Sequence, residues 1–170
     1  VVEAASKVNS LPLYFDDAPV ITVTDIRAKS RRLKSSKGLD LIIVDYLQLM
    51  QSSSGDNRQQ EIAEISRNLK NLARELRVPI LALSQLNRAA EAREDKRPRL
   101  GDLRESGAIE QDADIVMMLY RDDYYNPGTE IPGVAEVNIV KNRSGQTGKV
   151  ELFFSKEFTQ FSNYSKQEQQ

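Results

Sequence analysis

The chain has 170 residues, 39% of them hydrophobic and 29% charged, which is typical of one globular domain with a buried core. It contains no cysteine and no histidine, which excludes disulfides, thiolate metal sites, most zinc sites and histidine acid–base catalysis. The net charge of −1 means that nucleic-acid binding would need local basic elements.

The side chains that remain for chemistry are carboxylates, amides, hydroxyls and basic groups, a set that suits phosphate chemistry around Mg²⁺. The first ten residues, VVEAASKVNS, are typical of the end of a helix that has no start signal. They lack the regions of a signal peptide, and no segment approaches the ~18 apolar residues of a membrane span. We therefore expect a cytoplasmic protein with no membrane segment.

The next predicted elements are a short strand, LPLYFDD, and a helix within PVITVTDIRAKSRRLKSSKG. Thr24 is a plausible N-cap of that helix, and Gly38 marks its end. The helix carries six basic residues: Arg27, Lys29, Arg31, Arg32, Lys34 and Lys37. Two interpretations remain open for this basic surface, a solvated helix face and a site for nucleic acid or a partner.

The stretch LDLIIVDYLQLM, residues 39–50, predicts a strand buried on both faces of a parallel sheet, because its apolar residues follow one another without polar alternation. Asp45 ends this strand, so its carboxylate should lie at the sheet edge, where open α/β sheets bind ligands. It could position Mg²⁺ beside nucleotide phosphates, as a Walker B carboxylate does. The alternative is an aspartate that only caps a turn.

After the loop SSSGDN, the segment RQQEIAEISRNLKNLARELR predicts an amphipathic helix, and VPILALSQ predicts a second apolar strand ending at Ser84 and Gln85. DIVMMLYR predicts a third strand, so three strand ends would meet on one rim if the strands are parallel. Gln85 could then report whether a terminal phosphate is present. The alternative is a strand-end amide that caps nearby backbone.

The last part predicts an antiparallel hairpin, VAEVNIVK and KVELFFS joined by NRSGQTG, and a tail over residues 156–170 that could add an edge strand before it frays. Lys141 and Arg143 lie two positions apart and should point the same way, which suits an anion. If that anion were another subunit's nucleotide phosphate, Arg143 would be an arginine finger. The alternative is a solvated basic hairpin. The order of elements indicates an α/β fold with a mostly parallel sheet and an antiparallel edge.

A further candidate site lies in RPRLGDLRESG, where Arg104 and the backbone around Gly107 could contact a nucleic-acid phosphate. Residues 85–119 contain no aromatic side chain, so contact with the nucleic-acid backbone is expected rather than base stacking.

Four motifs, LIIVDYLQLM, SQLNR, RPRLGDLRESGAIEQDAD and KNRSGQTG, in this order and at these separations, resemble the motor domain of the bacterial replicative DNA helicases, the DnaB family, with its RecA-like fold. The resemblance implies that Asp45 is the Walker B residue for ATP and Mg²⁺. It implies that Gln85 links the γ-phosphate state to the DNA loops, and that Lys141 and Arg143 act in trans on a neighbour's ATP.

The same resemblance implies that Arg104, Glu105 and Gly107 belong to a loop that grips the backbone of single-stranded DNA. Glu105 would contact the DNA through its backbone, or its side chain would orient Arg104. The expected assembly is a homo-hexamer in the primosome, with primase and a helicase loader as partners.

One departure from the family is that the chain has no G-x-x-x-x-G-K-[ST] loop to hold the α and β phosphates. We therefore expect residues 1–170 to form a single partial domain, the C-terminal part of the motor, which is inactive alone. Two alternatives remain: another RecA-like ATPase such as a recombinase, or a non-catalytic binding module that kept the fold.

Overall fold

The structure is a computed structural model that describes the backbone of residues 2–52 and 57–164, and the side chains of this part except for residues 2–5 and 104–106. The helices and strands in chain order are α1 (Val2–Asn9), α2 (Val23–Lys37), β1 (Ile42–Val44), α3 (Arg58–Leu76), β2 (Ile80–Ala82), α4 (Gly107–Asp112), β3 (Ile115–Arg121), α5 (Asp122–Tyr125), β4 (Val134–Asn142), β5 (Gly148–Ser155) and β6 (Gln160–Asn163). Three short 3₁₀ segments connect them, at Leu47–Leu49, Arg88–Ala90 and Leu100–Ser106.

The main core lies between the parallel pair β1 and β2 and the helices α2 and α3. The two strands pair with Ile42 opposite Ile80 and Val44 opposite Ala82. Helix α3 has the predicted amphipathic pattern, since its buried apolar residues recur three and four positions apart. The buried apolar residues of this core are Val23, Ile26, Val44, Leu47, Met50, Ile62, Ile65, Leu69, Leu72, Leu76 and Val78.

Helix α2 begins at an N-cap two residues earlier than predicted, at Thr22 instead of Thr24. The Asp25 N–H donates to the Thr22 hydroxyl oxygen, and the Thr22 N–H donates to the Asp25 carboxylate at 2.9 Å, which is a capping box. The helix ends before Gly38, whose φ of 88° favours glycine, as the sequence predicts.

The basic surface of α2 is neither a simple solvated face nor a free patch, because several of its cations have partners in the chain. Arg27 and Arg31 both pair with Glu75 of α3, at 3.4 and 2.6 Å. Lys34 donates to the Leu76 carbonyl, at the end of the same helix. The basic run therefore helps to hold α2 against α3.

The strand predicted over LPLYFDD is wrong, since this extended segment pairs with no strand in the described part of the chain. Its side chains instead contact α2. Asp16 accepts a hydrogen bond from Lys29 at 2.6 Å, and the Lys37 ammonium lies 5.1 Å from the centre of the Tyr14 ring. These contacts hold the segment along the helix.

Burial of β1 on both faces is also wrong. Val44 is 8% exposed, but Ile43 is 60% exposed and Leu81 of β2 is 42% exposed. The reason is that α2 and α3 pack on one face of this strand pair, and nothing in the described residues covers the other. An apolar run therefore predicted the strand but not which of its faces is covered.

The second sheet is antiparallel, in the order β3-β4-β5-β6. Because β3 pairs with β4 here, it does not extend the β1–β2 pair, and the predicted rim of three parallel strand ends is reduced to two. Burial alternates along β3: Val116, Met118 and Tyr120 are buried, and the residues between them are exposed. The buried face packs on Leu103.

The predicted hairpin is confirmed as β4 and β5, and the edge strand expected after it is β6. Gly133, before β4, has a φ of 74°, and a Cβ there would lie 2.8 Å from the Phe153 ring, so the position requires glycine. Part of the loop SSSGDN and the last six residues of the tail lie outside the described residues. Among the described helices, none combines the length and apolar character needed to cross a membrane.

Candidate nucleotide and DNA site

Asp45 directly follows β1 and has an exposed side chain. The chain then enters a 3₁₀ turn whose first residue, Leu47, is 2% exposed and donates its N–H to the Leu83 carbonyl at 2.9 Å. This anchor holds Asp45 at the rim where β1 and β2 end. Its peptide bond to Tyr46 is cis.

Mg²⁺ fits this position on chemical grounds, because an exposed carboxylate at a strand end is the type of oxygen ligand that the ion accepts. No group of three or more acidic residues that could hold a metal occurs among the described residues. Mg²⁺ commonly binds through one or two carboxylates together with substrate phosphates and water. A metal at Asp45 would therefore depend on a bound nucleotide.

Gln85 lies three residues beyond β2 and also has an exposed side chain. Its backbone is held by a residue that sequence reasoning missed, Gln48. The Gln85 N–H donates to the Gln48 side-chain oxygen at 3.2 Å, and the Gln48 amide nitrogen donates to the Gln85 carbonyl at 3.4 Å and to the Ser84 hydroxyl at 3.1 Å. Gln85 therefore has a fixed backbone and an exposed carboxamide.

The first turn of α3 contacts the segment that follows β1, which contains Gln48 and Ser52. Arg58 donates to the Gln48 carbonyl at 2.6 Å and forms an ion pair with Glu61. Glu61 also accepts a hydrogen bond from the Ser52 N–H at 3.0 Å, and this bond, with the Arg58 contact, lowers the pKa of the Glu61 carboxyl. The segment after β1 is thus held from both sides.

The segment before α4 is anchored by Asp102, which is 5% exposed. Its two oxygens accept hydrogen bonds from the Arg93 guanidinium at 2.8 and 2.7 Å, and the Arg99 N–H donates to one of them at 2.7 Å. The contact with Arg93 is the main reason that the pKa of the Asp102 carboxyl is lowered. A charged pair with two bonds fixes geometry as well as charge.

A second anchor joins this segment to the antiparallel sheet. Arg97 donates to both oxygens of Glu136, at 2.8 and 3.0 Å, and its guanidinium lies 4.5 Å from the centre of the Tyr120 ring. The contact with Arg97 is the main cause of the lowered pKa of the Glu136 carboxyl. Burial and a hydrogen bond to Asp122 raise the pKa of Tyr120 to about 12.

Residues 85–104 contain six basic and four acidic residues, and these two anchors explain part of this basic surplus. The acidic residues of the same segment were a signal that its arginines form ion pairs within the chain. This signal could have pointed to the pair of Arg93 with Asp102, but not to Glu136, which lies 39 positions from Arg97. The base of the candidate DNA-binding loop is therefore fixed by ion pairs.

The side chains of Arg104 and Glu105 lie outside the described residues, so their predicted contacts stay predictions. Gly107 is exposed and starts α4 with a φ of −50°, which any residue adopts. A Cβ at this position would meet no atom within 4 Å. Neither the backbone nor the packing of the described chain requires glycine there.

The side chains of Lys141 and Arg143 do point the same way, and both contact the C-terminal end of α4. Lys141 donates to the Glu110 carbonyl, and Arg143 donates to the Gln111 carbonyl. Arg143 also lies 3.4 Å from a carboxylate oxygen of Asp114. Basic side chains are favourable at a helix C-terminus. An action on another subunit would require Arg143 to leave these partners.

Comparison with known proteins gives a consistent result. The family model described as "DnaB-like helicase C terminal domain" matches residues 1–163. The replicative DNA helicase DnaB of Geobacillus stearothermophilus is 57% identical over 162 residues, which are 94% of this chain and 36% of that protein. The replicative DNA helicase DnaC of Bacillus subtilis (strain 168) is 56% identical, with the same coverage. This chain spans about a third of the length of these relatives.

Two solved structures are similar over nearly the whole chain. One, described as an ATPase domain, has a TM-score of 0.92 at 43% identity, over 96% of this chain and 59% of that one. The other, a DnaB-like replicative helicase whose structure was described together with its interactions with primase, has a TM-score of 0.92 at 44% identity, over 96% of this chain and 41% of that one. These similarities confirm the predicted α/β, RecA-like fold class.

Proposed function

Because the chain belongs to the family of DnaB-like helicase C terminal domains, we propose that it forms part of the motor of an ATP-dependent replicative DNA helicase. The observation that carries the proposal is the parallel pairing of β1 and β2. Both strands end at one rim, one followed by an exposed Asp45 and the other by an exposed Gln85. In open α/β sheets this rim is where nucleotides bind.

The nucleotide is ATP, with Mg²⁺ as its metal. Asp45 would hold Mg²⁺ or its waters, and a bound ion would supply positive charge next to the transferred phosphate. The Gln85 carboxamide can donate to a γ-phosphate oxygen and accept from a neighbouring group at the same time. Its fixed backbone supports this role, because a sensor must have a defined rest position.

Single-stranded DNA is the polymer on which the motor acts, and the loop of residues 104–107 grips its backbone. The Arg104 guanidinium pairs with a phosphate, Glu105 contributes backbone or orients Arg104, and Gly107 allows close approach. The open space around Gly107 supports this assignment, since neither the backbone nor the packing of the described chain requires glycine there.

A short path of contacts connects the two sites. The Asn87 N–H, two residues beyond Gln85, donates to the Asp102 carbonyl at 2.9 Å, and Asp102 lies at the base of the loop. A displacement of Gln85 on phosphate loss would therefore move the loop that holds DNA. This is a two-state element biased by the phosphate, as in other nucleotide switches.

The assembly is a homo-hexamer in which Lys141 and Arg143 reach the ATP of a neighbouring subunit. Residues 1–170 form one partial domain of that motor, and the cell compartment is the cytoplasm. Primase is a partner, which the described interaction of a DnaB-like relative with primase supports, and a helicase loader is a second partner.

A chimera tests the function. Residues 1–163 replace the matching segment of the Geobacillus stearothermophilus helicase, and ATP hydrolysis is measured with and without single-stranded DNA, together with duplex unwinding. We expect hydrolysis that single-stranded DNA stimulates, while the 170-residue chain alone hydrolyses no ATP.

The unmodified relative is the positive control for assembly and activity. A chimera that assembles and binds DNA but does not hydrolyse ATP would identify a non-catalytic module. A chimera that exchanges strands without unwinding duplex would identify a recombinase.

A further inference from the structure

We propose that Gln48 is a positioning residue of this motor, which sets the place of Gln85 relative to Asp45 and transmits displacement of Gln85 to the turn after β1. The inference rests on the proposed motor function. Gln48 touches neither nucleotide nor DNA in this proposal, and it acts only through the backbone of Gln85.

The first observation is that Gln48 continues the hydrogen bonding between β1 and β2 after β1 has ended. The Leu83 N–H donates to the Val44 carbonyl and the Leu47 N–H donates to the Leu83 carbonyl, both at 2.9 Å. Beyond this point the first chain turns away into the 3₁₀ segment. The Gln48 carboxamide then bonds to both the N–H and the carbonyl of Gln85, so it supplies an acceptor and a donor where the neighbouring backbone no longer does.

The second observation is that Gln48 itself is hard to move. Its neighbours Leu47 and Met50 are 2% and 1% exposed, so the turn is fixed in the core. Its carbonyl accepts the hydrogen bond from Arg58 of α3. A shift of the Gln85 backbone must therefore break the two bonds to the carboxamide or move a turn that is tied to both the core and α3.

A structural alternative is a side chain that merely satisfies the polar groups at a strand end. The two interpretations differ in what happens when Gln85 can no longer sense phosphate. A positioning residue then loses its effect on the coupling of ATP hydrolysis to DNA, but a structural residue does not.

The test uses the chimera with two variants of Gln48. Gln48→Leu keeps about the same size and removes the two bonds to Gln85 and the bond to Ser84, whereas Gln48→Glu keeps the acceptor for the Gln85 N–H and loses the amide donor. For Gln48→Leu we expect DNA-stimulated kcat to fall about tenfold, with the KM for ATP changed less than about twofold. Gln48→Glu should have a smaller effect. Gln51→Leu, an exposed glutamine three residues further on, is the matched control and should change neither value.

The decisive comparison is a double-mutant cycle with Gln85→Ala. In that background Gln48→Leu should cause no further loss of DNA stimulation, and equal losses in both backgrounds would overturn the proposal. Hydrogen exchange of the Gln85 amide is a readout that needs no activity: its protection should fall in Gln48→Leu, and unchanged protection would also overturn the proposal. An inactive parent chimera would instead count against the motor function, and the exchange measurement would still decide the role of Gln48.

Discussion

Arg97 and Glu136 form an ion pair with two hydrogen bonds that joins the segment before α4 to strand β4. The Glu136 side chain is 3% exposed, whereas the Arg97 side chain keeps 44% exposure. The pair of Arg93 with Asp102 holds the same segment from within. The candidate DNA-binding loop therefore starts from a base that two arginines fix through ion pairs with Asp102 and Glu136.

The first prediction concerns the stability that this pair provides. Glu136→Gln should lower the free energy of unfolding by about 1–3 kcal/mol, because the ion pair with Arg97 loses its negative charge. The loss stays in this range because the Arg97 guanidinium can still be solvated by water. Urea unfolding of the chain measures the loss. Glu151→Gln is the matched control, since Glu151 lies opposite Glu136 in register and pairs with Lys149 nearer the surface. Its loss should be at most about 1 kcal/mol, and equal losses would contradict the assignment.

The second prediction concerns acid stability. The pKa values of Asp102 and Glu136 are lowered by Arg93 and Arg97, respectively, so the folded state binds protons less readily than the unfolded chain. Their contribution is fully present above the ordinary carboxyl pKa values and is lost as the pH falls through the lowered ones. The double variant Asp102→Asn, Glu136→Gln should therefore lose less stability than the original chain below about pH 4. The measurement is the free energy of unfolding of both proteins from pH 7 to pH 3. If the two curves of stability against pH are parallel, Asp102 and Glu136 do not cause the loss of stability in acid.

Local patterns predicted the elements that depend on local physics. The spacing of apolar residues predicted the amphipathic pattern of α3. Turn-forming residues predicted the end of α2 at Gly38 and the β4–β5 hairpin. The N-cap at Thr22 was also readable, because Asp25 stands three positions after it and completes a capping box. The strand predicted over LPLYFDD failed because its formation depends on a neighbouring strand, which its own residues do not encode.

The site shows the same division. Asp45 and Gln85 were predicted because each ends an apolar strand. Gln48 was missed because its partners lie 36 and 37 positions away, and no residue near it in sequence points to them. Glu136 was missed for the same reason, since a carboxylate within an apolar strand has meaning only once Arg97 is placed beside it.

The third prediction separates binding from folding at Gly107. Gly107→Ala should leave stability unchanged or raise it by up to about 1 kcal/mol, because alanine favours the helix and its Cβ has room. It should weaken single-stranded DNA binding of the chimera, because the methyl group fills the space that a DNA backbone would approach. Gly101→Ala is the control, as a Cβ there also meets nothing within 4 Å. Equal affinities in the two variants, measured by fluorescence anisotropy, would remove Gly107 from the DNA site.

The fourth prediction concerns action between subunits. Arg143→Ala in the chimera should lower ATP turnover by about 10³- to 10⁵-fold if the guanidinium serves a neighbour's phosphate. In rings mixed with unmodified subunits, each variant subunit should inactivate the site beside it, so turnover should depend on how the subunits are arranged. Arg67→Ala, an exposed arginine on α3, should have no such effect. Strictly proportional loss, with neighbouring sites unaffected, would show that Arg143 acts within its own subunit.

The fifth prediction concerns the metal at Asp45. Asp45→Asn keeps the shape of the side chain but removes the charge that holds Mg²⁺, so DNA-stimulated ATP turnover of the chimera should fall to background. Because Asp45 is exposed, the substitution should change the free energy of unfolding of the chimera by less than about 0.5 kcal/mol. Asp40→Asn is the matched control, since Asp40 is also exposed and precedes β1 instead of following it. ATP turnover is measured as a function of the Mg²⁺ concentration. If the two variants lose turnover to the same extent, any negative charge near β1 has this effect, and the carboxylate at the strand end has no specific role.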